Sequence, residues 1–516
     1  MQTQVLIIGA GATGTGVARD LALRGVDCIL IDQRDVNAGA SGGNHGLLHS
    51  GGRYVFTDPH AAAECKAEGD ILKRIAPQCI EETGGYFVAV EGDDPAYASD
   101  FPGYCAKAGV PCREVDAHEA RRNEPAIAES TFAVYEVEDA SVDPFKLSLE
   151  NVADAGRHGG RYLRYTRVLG FDMERGRIVA ARVEDMRSGR EYRIVADEYV
   201  VAAGAWSGGI TAMAGCHVDI VYAKGTLLVT QTRMAHRVIN RLRTPGDGDI
   251  LVPGGTVSVL GTTSLRVESP DDVRPTVAEV DVNINEGMGM VPSLADARFI
   301  RAYAGVRPLV RSGKPSGSDR AASRGFVLLD HEEDGVHNLV TIAGGKLTTY
   351  RLMAERAADL VCERLGVSAQ CLTAVRPISP SDEAEWAEPG VLQKQNWWRN
   401  HDRDDYLLCE CEIVPKSGVD SIIATFKDEA EPPRLLAIGL RSRVGKGSCQ
   451  GAFCGARITA HMHDRRIIEG REGLDGLREF LGARWKGQRP ILWGAQFNQA
   501  ELKEALYFGL VGMELE

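Results

Sequence analysis

Val5–Ile8 is an unbroken apolar run, the pattern of a strand buried on both faces of a parallel sheet. Thr15–Arg24 then sets Val17, Ala18, Leu21 and Ala22 along one side at helical spacing, with Gly25 placed to end the helix. Cys28–Ile31 is a second short apolar run, and it closes on Asp32. Much further on, Tyr199–Ala203 repeats the buried-strand pattern and runs into Gly204-Ala205-Trp206-Ser207. Gly344-Gly345-Lys346 stands at the mouth of a helix starting near Leu347. Strand, helix and strand in this order predict an α/β chain with a doubly wound sheet. The most apolar long stretch, Tyr199–Gly215, is interrupted by Gly204, Trp206, Ser207, Gly208 and Gly209. It therefore reads as strand, turn and helix rather than a membrane span.

The turn after the first strand is Gly9-Ala10-Gly11-Ala12-Thr13-Gly14. In G-x-G-x-x-G, Gly9 makes the tight turn, Gly11 admits a pyrophosphate close to the backbone, and Gly14 lets the helix pack on the strand. Asp32 ends the second strand where a carboxylate accepts hydrogen bonds from the adenosine ribose. Arg34 would suit a 2′-phosphate, but Asp32 repels one, which disfavours NADP. The loop Ala38-Gly39-Ala40-Ser41-Gly42-Gly43-Asn44 follows before any second helix, and loops of this kind run along a flavin. Helix N-terminal amides after Gly345, including that of Thr348, would face the anionic edge of a reduced flavin. Gly204 falls where a second flavin-contacting strand would end. FAD is the expected dinucleotide.

At 516 residues the chain is expected to form two to four domains. Its formal charge of −13 argues against a broad nucleic-acid footprint. It opens MQTQVLIIGAG without a basic or cleavable leader, so a cytoplasmic protein with at most peripheral membrane contact is expected. Eight of its 12 cysteines are scattered and read as reduced core residues. The other four are paired: Cys409 and Cys411 as C-x-C, then Cys449 and Cys454 as C-x4-C, with 37 residues between the pairs. Two thiolates from each pair suit an iron–sulfur cluster; a tetrahedral zinc site, the alternative, more often uses C-x2-C.

These motifs resemble the FAD-dependent glycerol-3-phosphate dehydrogenases. The first signature is Ile8-Gly9-Ala10-Gly11-x-x-Gly14-x-Gly16-x-Ala18-x-Asp20-x-x-x-Arg24-Gly25, with Ala10 where that family often has glycine. The second is Gly344-Gly345-Lys346-x-x-Thr349-Tyr350-Arg351-x-x-Ala354, and the blocks Leu47–Tyr54, Ala223–Leu228, Ile239–Gly255, Gly261–Ser264 and Tyr303–Val310 agree. The cysteine tail is similar to the [2Fe-2S] domain of bacterioferritin-associated ferredoxins, which narrows the resemblance to catalytic subunits of the anaerobic, multi-subunit branch.

The resemblance implies oxidation of sn-glycerol 3-phosphate to dihydroxyacetone phosphate, with electrons leaving through FAD and a [2Fe-2S] cluster toward a quinone. It places Arg53, Tyr54, Thr262, Thr263 and Lys346 at the substrate phosphate, Arg324 elsewhere in that pocket, and His49 and Arg307 beside the reacting hydroxyl. His49 is the natural proton acceptor because its ordinary pKa lies near neutrality; a water held by Arg307 is the other option. The implied partners are two further subunits, one flavin-type and one iron–sulfur, the latter anchoring the complex to the cytoplasmic face of the inner membrane. The expected architecture is a flavin domain (about 1–80, 190–212 and 340–365) interleaved with an α+β substrate domain (about 80–190 and 213–340). A linker (366–403), an iron–sulfur domain (404–460) and a terminal helical segment (461–516) follow. Two rivals are a flavin dehydrogenase of an amino acid or opine, which would need a carboxylate clamp, and a non-catalytic redox scaffold.

Overall fold

The computed structural model describes residues 1–271, 273–310, 325–381, 397–427 and 432–512. The elements that carry the site are, in chain order, β1 (Gln2–Ile8), α1 (Ala12–Leu23), β2 (Cys28–Ile31), β3 (Glu191–Val201), β4 (Ile220–Thr230), β5 (Phe299–Val310), β6 (Leu339–Gly344) and α2 (Tyr350–Leu365). Toward the C-terminus come α3 (Cys454–Asp464), α4 (Arg471–Trp485) and α5 (Ala495–Val511).

β1 lies between β2 and β3, parallel to both, and β6 continues the parallel run beside β3. Val5, Leu6 and Ile7 are wholly buried, as strands covered on both faces must be. α1 packs its Val17, Ala18 and Leu21 face with Ala354, Ala357, Ala358 and Val361 of α2 in one core. The helix starts at Ala12, ahead of the apolar pattern, because small residues there leave no pattern to read.

The second sheet is mixed and nine-stranded, with β4 paired along its length to β5. Sheet membership departs from the sequence reading in two places. Arg161–Leu163 joins β2, while Thr166–Glu174 and Arg177–Asp185 extend the flavin-side sheet beyond β3 instead of joining the substrate sheet. Phe326–Asp330, also expected on the substrate side, pairs with β6. Alternating polarity identifies a strand but is silent on which sheet receives it.

The C-terminal elements share one core: Val419, Ile422 and Ile438 meet Ile458, Leu477, Phe480, Trp485 and Tyr507. Residues on both sides of 460 thus pack as a unit. That unit is clasped to the flavin side by Arg441, whose guanidinium donates to Asp35 at 2.7 and 3.2 Å. The start of the expected linker is packed too, since the Ile378 N–H donates to the Ile75 carbonyl at 2.7 Å. Residues 382–396 of the linker lie outside the described residues.

Candidate functional site

A cavity of about 520 Å³ runs from the Gly9 turn to the β4–β5 pair, within the range of pockets that bury a ligand. Gly9, Gly11, Asp32, Arg34 and Ser41 line it on the side of the turn; His49, Arg53, Tyr54, Thr262, Arg307, Gly345 and Lys346 line it too, as does Gly204.

Local folding explains the first end. A Cβ on Gly14 would stand 1.8 Å from the Gly9 carbonyl oxygen, so only glycine lets α1 approach β1 this closely. Gly9 itself has φ of 110°, the left-handed region where a side chain is strained. Asp32 accepts the N–H groups of Ala10 at 2.8 Å and Arg34 at 2.9 Å. A carboxylate has about four lone-pair directions, so capacity remains for ribose hydroxyls. Burial raises the Asp32 pKa, and the same two N–H bonds oppose the rise. The Ser41 hydroxyl accepts the Ala12 N–H at 3.0 Å, which ties the small-residue loop to the helix start. These features fit the pyrophosphate and ribose of a dinucleotide.

At the far end, β5 delivers Arg307 opposite Ala223 of β4. Its guanidinium donates to the Thr262 hydroxyl, to the Thr263 carbonyl at 3.3 Å and to the Ser264 hydroxyl at 3.5 Å. Arg53 donates to the Asp249 carboxylate at 3.1 Å. The Lys346 ammonium lies 4.8 Å from the centre of the Tyr54 ring, within cation–π range. His49 packs its ring 5.3 Å from that of Tyr54, and its backbone N–H donates to the Thr348 hydroxyl at 3.2 Å.

Not every expected residue reaches the cavity. Thr263 turns its hydroxyl into the core, where it donates to Glu279 at 3.2 Å and accepts the Thr226 N–H at 3.0 Å. Adjacent residues of an extended segment point to opposite sides, so Thr262 and Thr263 cannot both face the substrate. Thr348 is fully buried behind His49. Gly42 faces Asn37, whose carbonyl oxygen would be 2.2 Å from an added Cβ, and Phe145. Arg324 lies outside the described residues.

The sequence reading missed His45, which lines the cavity four residues before His49. Its Nδ1 is sealed from solvent, without a hydrogen-bond partner among the described residues. Burial, with Arg307 and Arg53 nearby, lowers its pKa to about 3, so it is neutral at physiological pH. The signal was available as a second histidine in the same glycine-rich loop.

The four paired cysteines come together. Cys411 and Cys449 sulfurs are 3.4 Å apart, and Cys409 and Cys454 are close neighbours in the same ring. The Cys411 thiol donates to the Cys449 sulfur. The loop glycines have a packing role beside this. A Cβ on Gly445 or Gly451 would come within 2.5 or 2.7 Å of the Phe480 ring.

Residues 4–360 match the family model described as FAD dependent oxidoreductase. Over 535 residues, covering 100% of this chain and 98% of the relative, the sequence is 41% identical to a subunit of the anaerobic glycerol-3-phosphate dehydrogenase of Escherichia coli strain K12. The chain belongs to the family of anaerobic glycerol-3-phosphate dehydrogenase subunits. The corresponding Haemophilus influenzae protein is 40% identical over 534 residues, covering 99% of this chain and 94% of that one. A solved glycerol-3-phosphate dehydrogenase from Bacillus halodurans, complexed with FAD, shares the fold with a TM-score of 0.60. It is 22% identical and matches 97% of this chain and 94% of its own. The Gly9–Asp32 turn and the cavity of this member of the anaerobic dehydrogenase family fall within the 4–360 stretch that matches the FAD dependent oxidoreductase model.

Proposed function

We propose that this chain oxidises sn-glycerol 3-phosphate to dihydroxyacetone phosphate, using FAD in the cavity and a [2Fe-2S] cluster on Cys409, Cys411, Cys449 and Cys454. The observation that carries the reading is the convergence of Arg53, Tyr54, Thr262, Arg307 and Lys346 on one end of a cavity whose other end is the Gly9–Asp32 turn.

FAD, when bound, supplies the acceptor for the C2 hydrogen and its electron pair. The chain supplies the rest. Lys346 and Arg53 hold the dianionic phosphate, an ammonium acting as a point charge and a guanidinium as a fork. Asp249 offsets part of the Arg53 charge and fixes its orientation. Arg307, braced by Thr262, the Thr263 carbonyl and Ser264, stabilises negative charge developing on the C2 oxygen without having to reorganise. His49 takes the hydroxyl proton. Its backbone is fixed through Thr348.

At the cysteine ring, two thiolates from each of the two pairs suit a two-iron cluster. The cluster supplies a one-electron carrier when bound. Electrons then pass to two partner subunits, one flavin-type and one iron–sulfur, the second of which reduces quinone at the cytoplasmic face of the inner membrane. Such anchoring fits a chain in which, among the described residues, no helix is long and apolar enough to cross a membrane.

The test is steady-state dye reduction by the purified, flavin-loaded protein. Glycerol 3-phosphate should support turnover and glycerol should not; equal rates would remove the phosphate cradle from the account.

A further inference from the structure

Two half-buried arginines stand beside the loop of the second cysteine pair. Arg484, in the last turn of α4, donates to the Gln450 side-chain oxygen at 2.8 Å. Gln450 follows Cys449 and is 2% exposed; its own amide donates to the Gly447 carbonyl at 2.8 Å. The next residue of α4, Trp485, donates its ring N–H to the Gln450 carbonyl at 3.2 Å. The loop holding the second cysteine pair is thus gripped from α4. Arg301, on β5, reaches the same place and donates to the Ala483 carbonyl at 3.4 Å.

The Nε atoms of Arg301 and Arg484 are both sealed from solvent, with no hydrogen-bond partner among the described residues. Among the described residues, neither arginine has a carboxylate within ion-pair distance, in contrast to Arg443, paired with Glu412 at 3.0 Å, and Arg457, paired with Glu410 at 2.9 Å. Lys503 adds a cation to the same side, its ammonium 4.6 Å from the Trp485 ring centre. A guanidinium stays charged at physiological pH, so Arg484 sets a positive charge, without a carboxylate partner among the described residues, against the loop that carries Cys449.

We propose that Arg484, backed by Arg301, is a positioning residue for the cluster. It holds the Cys449–Cys454 loop and places uncompensated positive charge against the cluster, raising its reduction potential. This rests on the reading that the four cysteines ligate an iron–sulfur cluster. Each one-electron reduction adds negative charge to the cluster, so a fixed cation favours the reduced form. Arg301 is on the strand that also carries Gly305 and Arg307 into the flavin cavity, so this charge lies on the side from which electrons arrive.

The experiment is an EPR-monitored redox titration of the anaerobically purified full-length protein, comparing wild type with Arg484→Gln, Arg484→Lys and Arg301→Met. Arg484→Gln should lower the cluster's one-electron reduction equilibrium constant about tenfold, a shift of about 59 mV, with iron content and substrate bleaching of the flavin unchanged. Arg484→Lys should retain most of the potential, and Arg301→Met should shift it in the same direction by less. If Arg484→Gln fails to assemble a cluster, the Arg301→Met potential decides. A loaded cluster with wild-type potential in the variants overturns the proposal. Wild-type protein without iron or sulfide would instead overturn the cluster reading beneath it.

Discussion

Replacing Arg441 by methionine removes the cation that clasps the C-terminal unit to the flavin side. Arg441 is fully buried, and its partner Asp35 is 3% exposed by side chain. Although burial alone would raise Asp35, Arg441 and Arg164 hold its carboxyl down to about 2 from 3.8. At about 1.4 kcal/mol per pKa unit this is worth about 2 kcal/mol to the charged form. Deleting one member of a buried pair leaves a stranded charge and costs about 3–5 kcal/mol. Arg164, 3.7 Å from the same carboxylate, takes part of the load, which sets the expected loss near the low end, about 3 kcal/mol. Denaturant unfolding of the C-terminal unit, followed by fluorescence of the buried Trp485, reads this out. The double variant Asp35→Asn with Arg441→Met should recover part of the loss, because the stranded charge is gone. The pH dependence has a definite sign. Asp35 has a depressed folded pKa, so its contribution is complete above 3.8 and fades as pH falls toward 2. Arg441→Met should flatten stability across that window. A loss below about 1 kcal/mol, the level of an exposed pair, together with an unchanged acid profile, would refute the reasoning.

Three further sets of substitutions test the site. Gly14→Ala sets a Cβ 1.8 Å from the Gly9 oxygen, and the protein should purify with little flavin; normal FAD content by absorbance would contradict the close approach. Lys346→Met should raise KM for glycerol 3-phosphate by about 10- to 100-fold, the weight of a hydrogen bond to a charged group, whereas Arg307→Met should act mainly on kcat, by about 10²–10³. The reverse pattern in steady-state kinetics would exchange their roles. Cys454→Ser should abolish the cluster's EPR signal yet leave measurable dye reduction, and a dead dye assay would make the cluster structural instead of a conduit.

The βαβ start, the Asp32 terminus and the flavin-side loop were legible because glycine spacing and apolar runs report backbone directly. The cavity's far end was legible from motif resemblance, which brought Arg53, Lys346 and Arg307 together from separate parts of the chain. What stayed hidden is orientation and long-range pairing. Nothing local says that Thr262 faces the cavity while Thr263 bonds Glu279, or that Thr348 sits behind His49. The Arg441–Asp35 clasp joins residues 406 positions apart, and an isolated arginine at the end of a short helix reads as a surface residue. His45 was passed over because one histidine in the motif already satisfied the chemistry.

The most direct measurement of the central claim is anaerobic titration of the oxidised holoprotein with glycerol 3-phosphate, following the visible flavin absorption and the cluster's EPR signal together. The account predicts bleaching of the flavin at stoichiometric substrate, appearance of a reduced-cluster signal, and no response to glycerol. A flavin that stays oxidised with excess glycerol 3-phosphate, in protein shown to contain FAD, would contradict it.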